Sequence, residues 1–571
     1  MKKLLLFLLV LTLLLGACTP SRESEEKTES EIQAEIENEE KPTELTVYGV
    51  GTGILDRRRD ENKTYNYYIT AYEMGPYGPL TNAPREYGYM FYDPIKEFEE
   101  QTGIKINLQM FDSAMSMEMQ IEEDGKKPDV VLIEYNGWLG ATPHNNVYRW
   151  IYNNEFVDVM PYLELDQVYT NGEYYNEVLE AGTLGGKQYV LPLCFNMNSL
   201  FASKEDMSDI GVAIEQEMTS AELLNQLQQA CAVAEEGKLV LDNLSCWTVP
   251  TTFVQDYWES TGCPVVDYET GEVTVNRQTF EDVAECFKEY MCMTFAADWD
   301  IVLENAEEYL SDPLWNGYLP PGGFFTLDET TNRYMKDSET GIEWINQGVF
   351  FYENGTGTAS LHSLPGQCVT LNTIYSGLGE DMVMVSMPMY EESDQYAAQV
   401  QEYGGISATT EYPYHCYQLL KFLMDQEYDP YYVIPVKKAN AETMLDQLGS
   451  TTYTLHLGLG STWEENQDFS LDLDPFVLQP LPENLTQQLQ HMLDNIGSAV
   501  LPQQSIYVPL LWHMEAYMFG METMDEAYEN ACTDLEEHME YIMAGDSPML
   551  FYDGGYDNFL LRGEDLRINK N

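Results

Sequence analysis

The chain opens on one long apolar stretch and then settles into short apolar runs of two different periods. Leu4 to Leu15 is apolar at every position except Thr12. From Glu44 the run Glu-Leu-Thr-Val-Tyr-Gly reads as a short strand that ends at glycine. An irregular stretch rich in Tyr, Gly and Pro covers about 51–90. Tyr92 to Gly103 predicts a helix: Pro94 suits its first turn, Ile95 and Phe98 share a face, and Gly103 suits its end. Ile104 to Met110 alternates apolar and polar residues, which predicts a half-buried strand. A polar helix follows, and then Pro128 to Ile133, which reads as a buried strand. This β-α-β-α-β order predicts a parallel sheet with helices on its faces.

Further along, Val265 to Asn276 reads as a hairpin with a glycine turn, and a helix is expected from about Phe280. Positions 416, 419, 420 and 423 have helical spacing. Thr219 with Glu222, and Thr523 with Glu526, have the Thr-x-x-Glu form of a capping box. After the second box, Ala527, Ala531, Leu535 and Ile542 mark one buried stripe.

The opening apolar run is too short to span a membrane. Twelve helical residues reach ~18 Å, against a bilayer core of ~30 Å. Behind Met1-Lys2-Lys3 it reads as a secretory signal peptide, residues 1–17. Leu15-Gly16-Ala17-Cys18 resembles the bacterial lipobox, which implies diacylation of Cys18, the two chains supplying a stable lipid anchor to the membrane. Residues 21 to 41 carry nine Glu and no aromatic residue. An acidic disordered tether is therefore expected over 18–42. A tail is expected over 561–571.

Composition narrows the partners. The 571 residues carry 96 acidic and 28 basic side chains, a net charge of −68. Nucleic acid is excluded as a partner, because phosphate recognition needs clustered Lys and Arg. Hydrophobic residues at 44% suffice for sizeable cores, and the length suggests two to four domains. Without Cys18, nine cysteines remain, with no CxxC and no zinc spacing, so mostly free structural thiols are expected. No cofactor or metal is implied. Asp468, Asp472 and Asp474 lack the spacing and glycine of an EF-hand. No G-x-S-x-G, H-E-x-x-H or P-loop sequence occurs.

Read in order, the motifs resemble the extracellular solute-binding proteins of ABC importers, family 1, the group that includes maltose-binding proteins. Glu97 to Leu108 (EFEEQTGIKINL) and Pro128 to Ile133 (PDVVLI) carry the first part of the resemblance. Gly186 to Pro192 (GKQYVLP), Phe201 to Met207 with Ile210-Gly211, and the 265–276 hairpin extend it. Gly357 to Leu361, Met382 to Pro388, Ile434 to Val436, Leu501 to Ser505 and the last helix pair complete it. The likeness spans about 43–545, with departures near 51–90, 300–345 and 450–500.

The resemblance implies an α/β, two-lobed periplasmic-binding-protein-like fold, each lobe a mainly parallel sheet flanked by helices, with a hinged cleft between. Lobe 1 would hold 43–190 and 390–445, and lobe 2 would hold 191–389 and 446–560. It implies a non-enzymatic receptor on the extracytoplasmic face of the cell membrane, capturing a small-molecule solute, a carbohydrate of oligosaccharide class, for ABC permease subunits. A sugar site needs aromatic faces for C–H groups and carboxylates or amides for hydroxyls. Glu134, Tyr135 and Trp138 directly follow the third strand, where ligands bind in open α/β sheets. Trp247, Phe253 and Tyr507 stand where the family places further ligand-facing segments, and Asn196 is a further candidate. A non-sugar solute, a sensor-kinase receptor on the same fold, and a surface glycoside hydrolase remain the alternatives.

Overall fold

The computed structural model describes residues 28–50, 56–59, 65–70, 92–111, 114–134, 146–197, 199–204, 215–219, 222, 254, 258–259, 261–285, 351–353, 375, 379–386, 388–389, 394–426, 434–450, 453–458, 476–501, 503–518 and 520–544. Its strands are β1 (Glu44–Val50), β2 (Asp56–Arg59), β3 (Tyr65–Thr70), β4 (Lys105–Phe111), β5 (Val130–Glu134), β6 (Thr183–Leu184), β7 (Lys187–Gln188), β8 (Val190–Met197) and β9 (Ser199–Ser203). They continue with β10 (Val266–Asp267), β11 (Glu272–Val273), β12 (Phe351–Glu353), β13 (Met382–Ser386), β14 (Tyr396–Ile406), β15 (Ile434–Pro435), β16 (Tyr453–Gly458), β17 (Phe476–Leu478) and β18 (Ile496–Val500). The helices are α1 (Glu29–Asn38), α2 (Tyr92–Thr102), α3 (Ala114–Asp124), α4 (Val147–Tyr152), α5 (Met160–Leu165), α6 (Asn176–Glu180), α7 (Pro413–Met424), α8 (Lys438–Ser450), α9 (Glu483–Asp494), α10 (Tyr507–Met518) and α11 (Met524–Ala544).

The main sheet runs β15-β8-β14-β5-β1-β4, with β18 added on β14. β4, β1 and β5 are parallel, as the β-α-β-α-β reading requires. β14 runs antiparallel between β5 and β8, so β8 points the same way as β5. Leu45, Val47, Val130, Leu132, Leu191, Leu193 and Phe195 are fully buried in it. α7 covers one face through Cys416, Leu419, Leu420 and Leu423, the positions read from helical spacing. It packs so closely on β14 that a Cβ at Gly404 would lie 2.3 Å from a Leu420 methyl carbon.

Two strands carry the chain out of this sheet and back. β8 leads, one residue on, into β9, the centre of a three-stranded antiparallel sheet β12-β9-β13. The chain returns from β13 into β14. A separate sheet, β17-β16-β3-β2, joins two of the stretches that depart from the family pattern: β3 lies within 51–90, and β16 pairs with it in parallel from within 450–500. The hairpin β10–β11 turns at Gly271 (φ 75°), and both capping boxes form with their Glu carboxylates accepting from Thr219 and Thr523 backbone N–H groups at 2.8 and 2.9 Å. Ala527, Ala531, Leu535 and Ile542 are buried along α11.

One expectation is corrected. The tether expected to be disordered over 18–42 is folded from Thr28 onward. Thr28 and Glu31 form a capping box that starts α1. Ile32 is buried and Ile36 partly buried against the core. An acidic composition thus conceals two apolar residues at helical spacing, sufficient to hold a capped helix against a neighbour. The signal segment, Cys18 and the 561–571 tail lie outside the described residues, as does the Gly357 to Leu361 stretch of the resemblance. Cys263, Cys416 and Cys532 are free thiols, and burial pushes the Cys416 thiol well up.

Candidate functional site

The carboxyl ends of β5 and β8 meet across β14, and a polar cluster lies at that junction. Register places Glu134 of β5 opposite Glu402 of β14. It places Glu402 opposite Cys194, and Gln399 opposite Asn196, both on β8. Opposed residues share a face, and so do residues two apart on one strand. The register shifts on either side of Glu402, so β14 is bulged where these residues pair. Gln399 and Glu402 are both buried. The Gln399 amide Nε2 donates to Glu259 Oε2 at 2.7 Å, and Glu259 is buried too. Asn196 is 4% exposed, yet its Oδ1 accepts no hydrogen bond. A buried amide oxygen without a donor is costly, and a ligand hydroxyl or ammonium group would relieve it.

A second layer of contacts joins α4 to the β10–β11 hairpin and to the turn before α10. Asn146 caps α4 by accepting from Tyr148 N at 3.0 Å. Its Nδ2 reaches Ser505 Oγ and Tyr268 Oη, each at 3.4 Å. Val147 N donates to Gln503 Oε1 at 2.9 Å. The Tyr148 and Tyr268 rings stack with centroids 3.5 Å apart and planes 7° off parallel. The Tyr152 hydroxyl donates to the Tyr268 carbonyl. Burial pushes the Tyr148 and Tyr268 phenols well up and lifts Tyr152 to about 12, so all three stay neutral donors.

Of the candidates read from sequence, Glu134 and Asn196 lie on β5 and β8, the two strands that flank β14. Glu134 is the last residue of its strand, the edge at which ligands of such sheets bind. Tyr507 opens α10 and is buried in the core cluster. Tyr135, Trp138, Trp247 and Phe253 lie outside the described residues. Gln399, Glu402 and Glu259 were not anticipated. The signal for the first two was present: Gln399 and Glu402 are polar residues inside a strand, Tyr396 to Ile406, that is buried almost throughout.

A cavity of about 250 Å³ lies elsewhere, beside the amino end of β5, lined by Met117, Glu118, Lys127, Arg149, Trp150 and Phe156 among others. Arg149 and the Trp150 indole both donate to Glu118 there, and Lys127 pairs with Glu155. Among the described residues no group of His, Cys, Asp or Glu is placed to hold a metal ion. Among them also, no helix is long and apolar enough to cross a membrane.

No family model and no curated protein matches the chain. Among solved structures it is similar to an ABC substrate-binding protein of Listeria monocytogenes in complex with cycloalternan, at 11% identity and a TM-score of 0.45, covering 88% of this chain and 100% of that one. It is similar to a zinc-bound structure described as an oligosaccharide periplasmic-binding protein of Synechococcus, at 11% identity and a TM-score of 0.48, covering 87% and 100%. It is also similar to the GacH receptor of Streptomyces glaucescens, known unliganded and with acarbose, at 12% identity and a TM-score of 0.45, covering 88% and 99%. All three are solute-binding proteins. At TM-scores below 0.5 these likenesses assign no ligand to this chain.

Proposed function

We propose that this chain is a lipid-anchored, extracytoplasmic solute-binding receptor of an ABC importer, and that its solute is a carbohydrate of oligosaccharide size. Two lobes, 43–190 with 390–445 and 191–389 with 446–560, close on the solute and open again. The observation that carries this reading is the pair of adjacent strand passages, β8 into β9 and β13 into β14, linking two sheets beside a buried polar cluster. A few residues at such passages can absorb a rotation. The solute stabilises the closed form because only that form touches it from both sides.

The cluster is matched to a donor-rich solute. Beside Glu402, Gln399 and Glu259, the unsatisfied Asn196 Oδ1 offers an acceptor. Sugar hydroxyls supply donors to such groups, and Tyr135, Trp138, Trp247 and Phe253 would supply the apolar faces. The protein carries out no bond chemistry, and its output is the closed shape presented to permease subunits.

The test is calorimetric titration of the mature protein with panels of oligosaccharides, monosaccharides and peptides, with small-angle scattering before and after saturation. Saturable sugar binding with a smaller radius of gyration supports the reading. Binding confined to another solute class removes the carbohydrate assignment, and turnover of a glycan removes the receptor assignment altogether.

A further inference from the structure

The stretch between the lipidation motif and the first strand holds a helix that is fastened to the folded body at both ends. At its start, Thr28 and Glu31 form the capping box of α1. Ile32 is 6% exposed, and α1 packs on α5. At its end the Glu39 carboxylate reaches the amino terminus of α7. It accepts from Tyr414 N and from His415 N, each at 3.0 Å, and lies 2.6 Å from His415 Nδ1. A carboxylate at a helix amino terminus meets unsatisfied N–H groups and the positive end of the helix dipole. Beyond it, Lys41 Nζ donates to the Thr102 carbonyl at the end of α2.

We propose that α1 is a clasp that sets the length of the membrane leash. This rests on the reading of Cys18 as the lipid-anchored residue. From Cys18 to Thr28 there are ten residues. At ~3.5 Å per residue their reach is at most about 35 Å. With α1 released, the leash would run to Glu44, and its reach would grow to about 90 Å. The volume swept by the body grows with the cube of the reach, so the concentration seen by a membrane partner would fall about 17-fold. The clasp therefore holds the receptor close to the bilayer and presents the α1–α5–α7 side of the sheet toward the anchor.

The experiment uses the full lipoprotein in a supported bilayer, read by neutron reflectometry, with the variant Ile32→Asp/Glu39→Ala beside it. Hydrogen exchange on soluble Cys18→Ala protein, with and without the same two changes, reports docking independently of the lipid. The clasp predicts α1 amides protected in the parent and exchanging freely in the variant, with α7 and β14 protected in both. It also predicts a protein layer that begins within about 35 Å of the bilayer in the parent and spreads outward in the variant. Free exchange of α1 in the parent overturns the clasp, and so does an unchanged layer despite a released α1. An intact mass lacking the acyl chains overturns the anchor reading instead, while leaving the exchange result to stand or fall by itself.

Discussion

Single side chains set opposed pH dependences in the last two helices. His513 of α10 has Nδ1 2.9 Å from Glu522 and Nε2 3.1 Å from Asp534. Only the imidazolium can donate from both nitrogens. Burial pushes His513 down, but the hydrogen bonds it donates to Asp534 and Glu522, with their charges, outweigh it and raise the group above 6.5. Its stabilisation is complete below 6.5 and is lost as pH rises through the raised value. His538 of α11 behaves in reverse, since burial alone lowers it to about 4. Its neutral form stabilises the fold above 6.5, and that contribution, roughly 3 kcal/mol, is lost as pH falls toward 4. Urea midpoints between pH 4 and 8 should show His538→Asn flattening the acid side and His513→Gln flattening the side above neutrality. Asn196 separates binding from stability. Its unsatisfied Oδ1 means that Asn196→Ala should change the unliganded stability by less than about 1 kcal/mol. The same change should weaken solute binding about tenfold, the value of one hydrogen bond at ~1.4 kcal/mol. An equal loss in both measurements would make Asn196 a structural residue only.

Among elements, α7 shows what periodicity can and cannot reveal. Its apolar positions were legible because Cys416, Leu419, Leu420 and Leu423 repeat at helical spacing, and all four are fully buried. Leu420→Ala should cost about 2–5 kcal/mol in thermal or urea unfolding. Gly404→Val, facing the same methyl groups, should cost about 1–3 kcal/mol by overpacking. β1, β4 and β5 were legible for a related reason, since alternation and continuous apolar runs record burial directly. α1 was not, because its two core contacts, Ile32 and Ile36, are outnumbered by glutamates that face solvent. The polar cluster was half legible. Glu134 follows from its place after the third strand and Asn196 was a further candidate, but their strands are joined by β14, which returns to the sheet about 200 residues after β8. Such long-range register has no local signature, so the pairing of Gln399 with Asn196 and of Glu402 with Glu134 emerged only from the fold.

At the scale of the whole molecule, two effects act on stability and must be separated. A net charge of −68 makes the folded chain repel itself. Raising ionic strength from ~0.01 to ~0.15 M shortens the screening length from about 30 to 8 Å, so the melting temperature should rise with salt even without solute. Closure on a solute has another signature. Ligand that binds only the folded state stabilises it by ~2.7 kcal/mol at a hundredfold excess over Kd, and the gain grows with the logarithm of concentration. At constant salt, the correct solute should therefore raise the melting temperature without a plateau above saturation. A non-binding sugar of the same size should leave it unchanged. The effect should shrink in Asn196→Ala in step with its weaker affinity, whereas the salt effect should be the same in both proteins. If the solute raised the melting temperature while scattering showed no contraction, the two sheets would be binding it without rotation about the β8–β9 and β13–β14 passages. The buried polar cluster would then be a fixed pocket rather than one wall of a closing cleft.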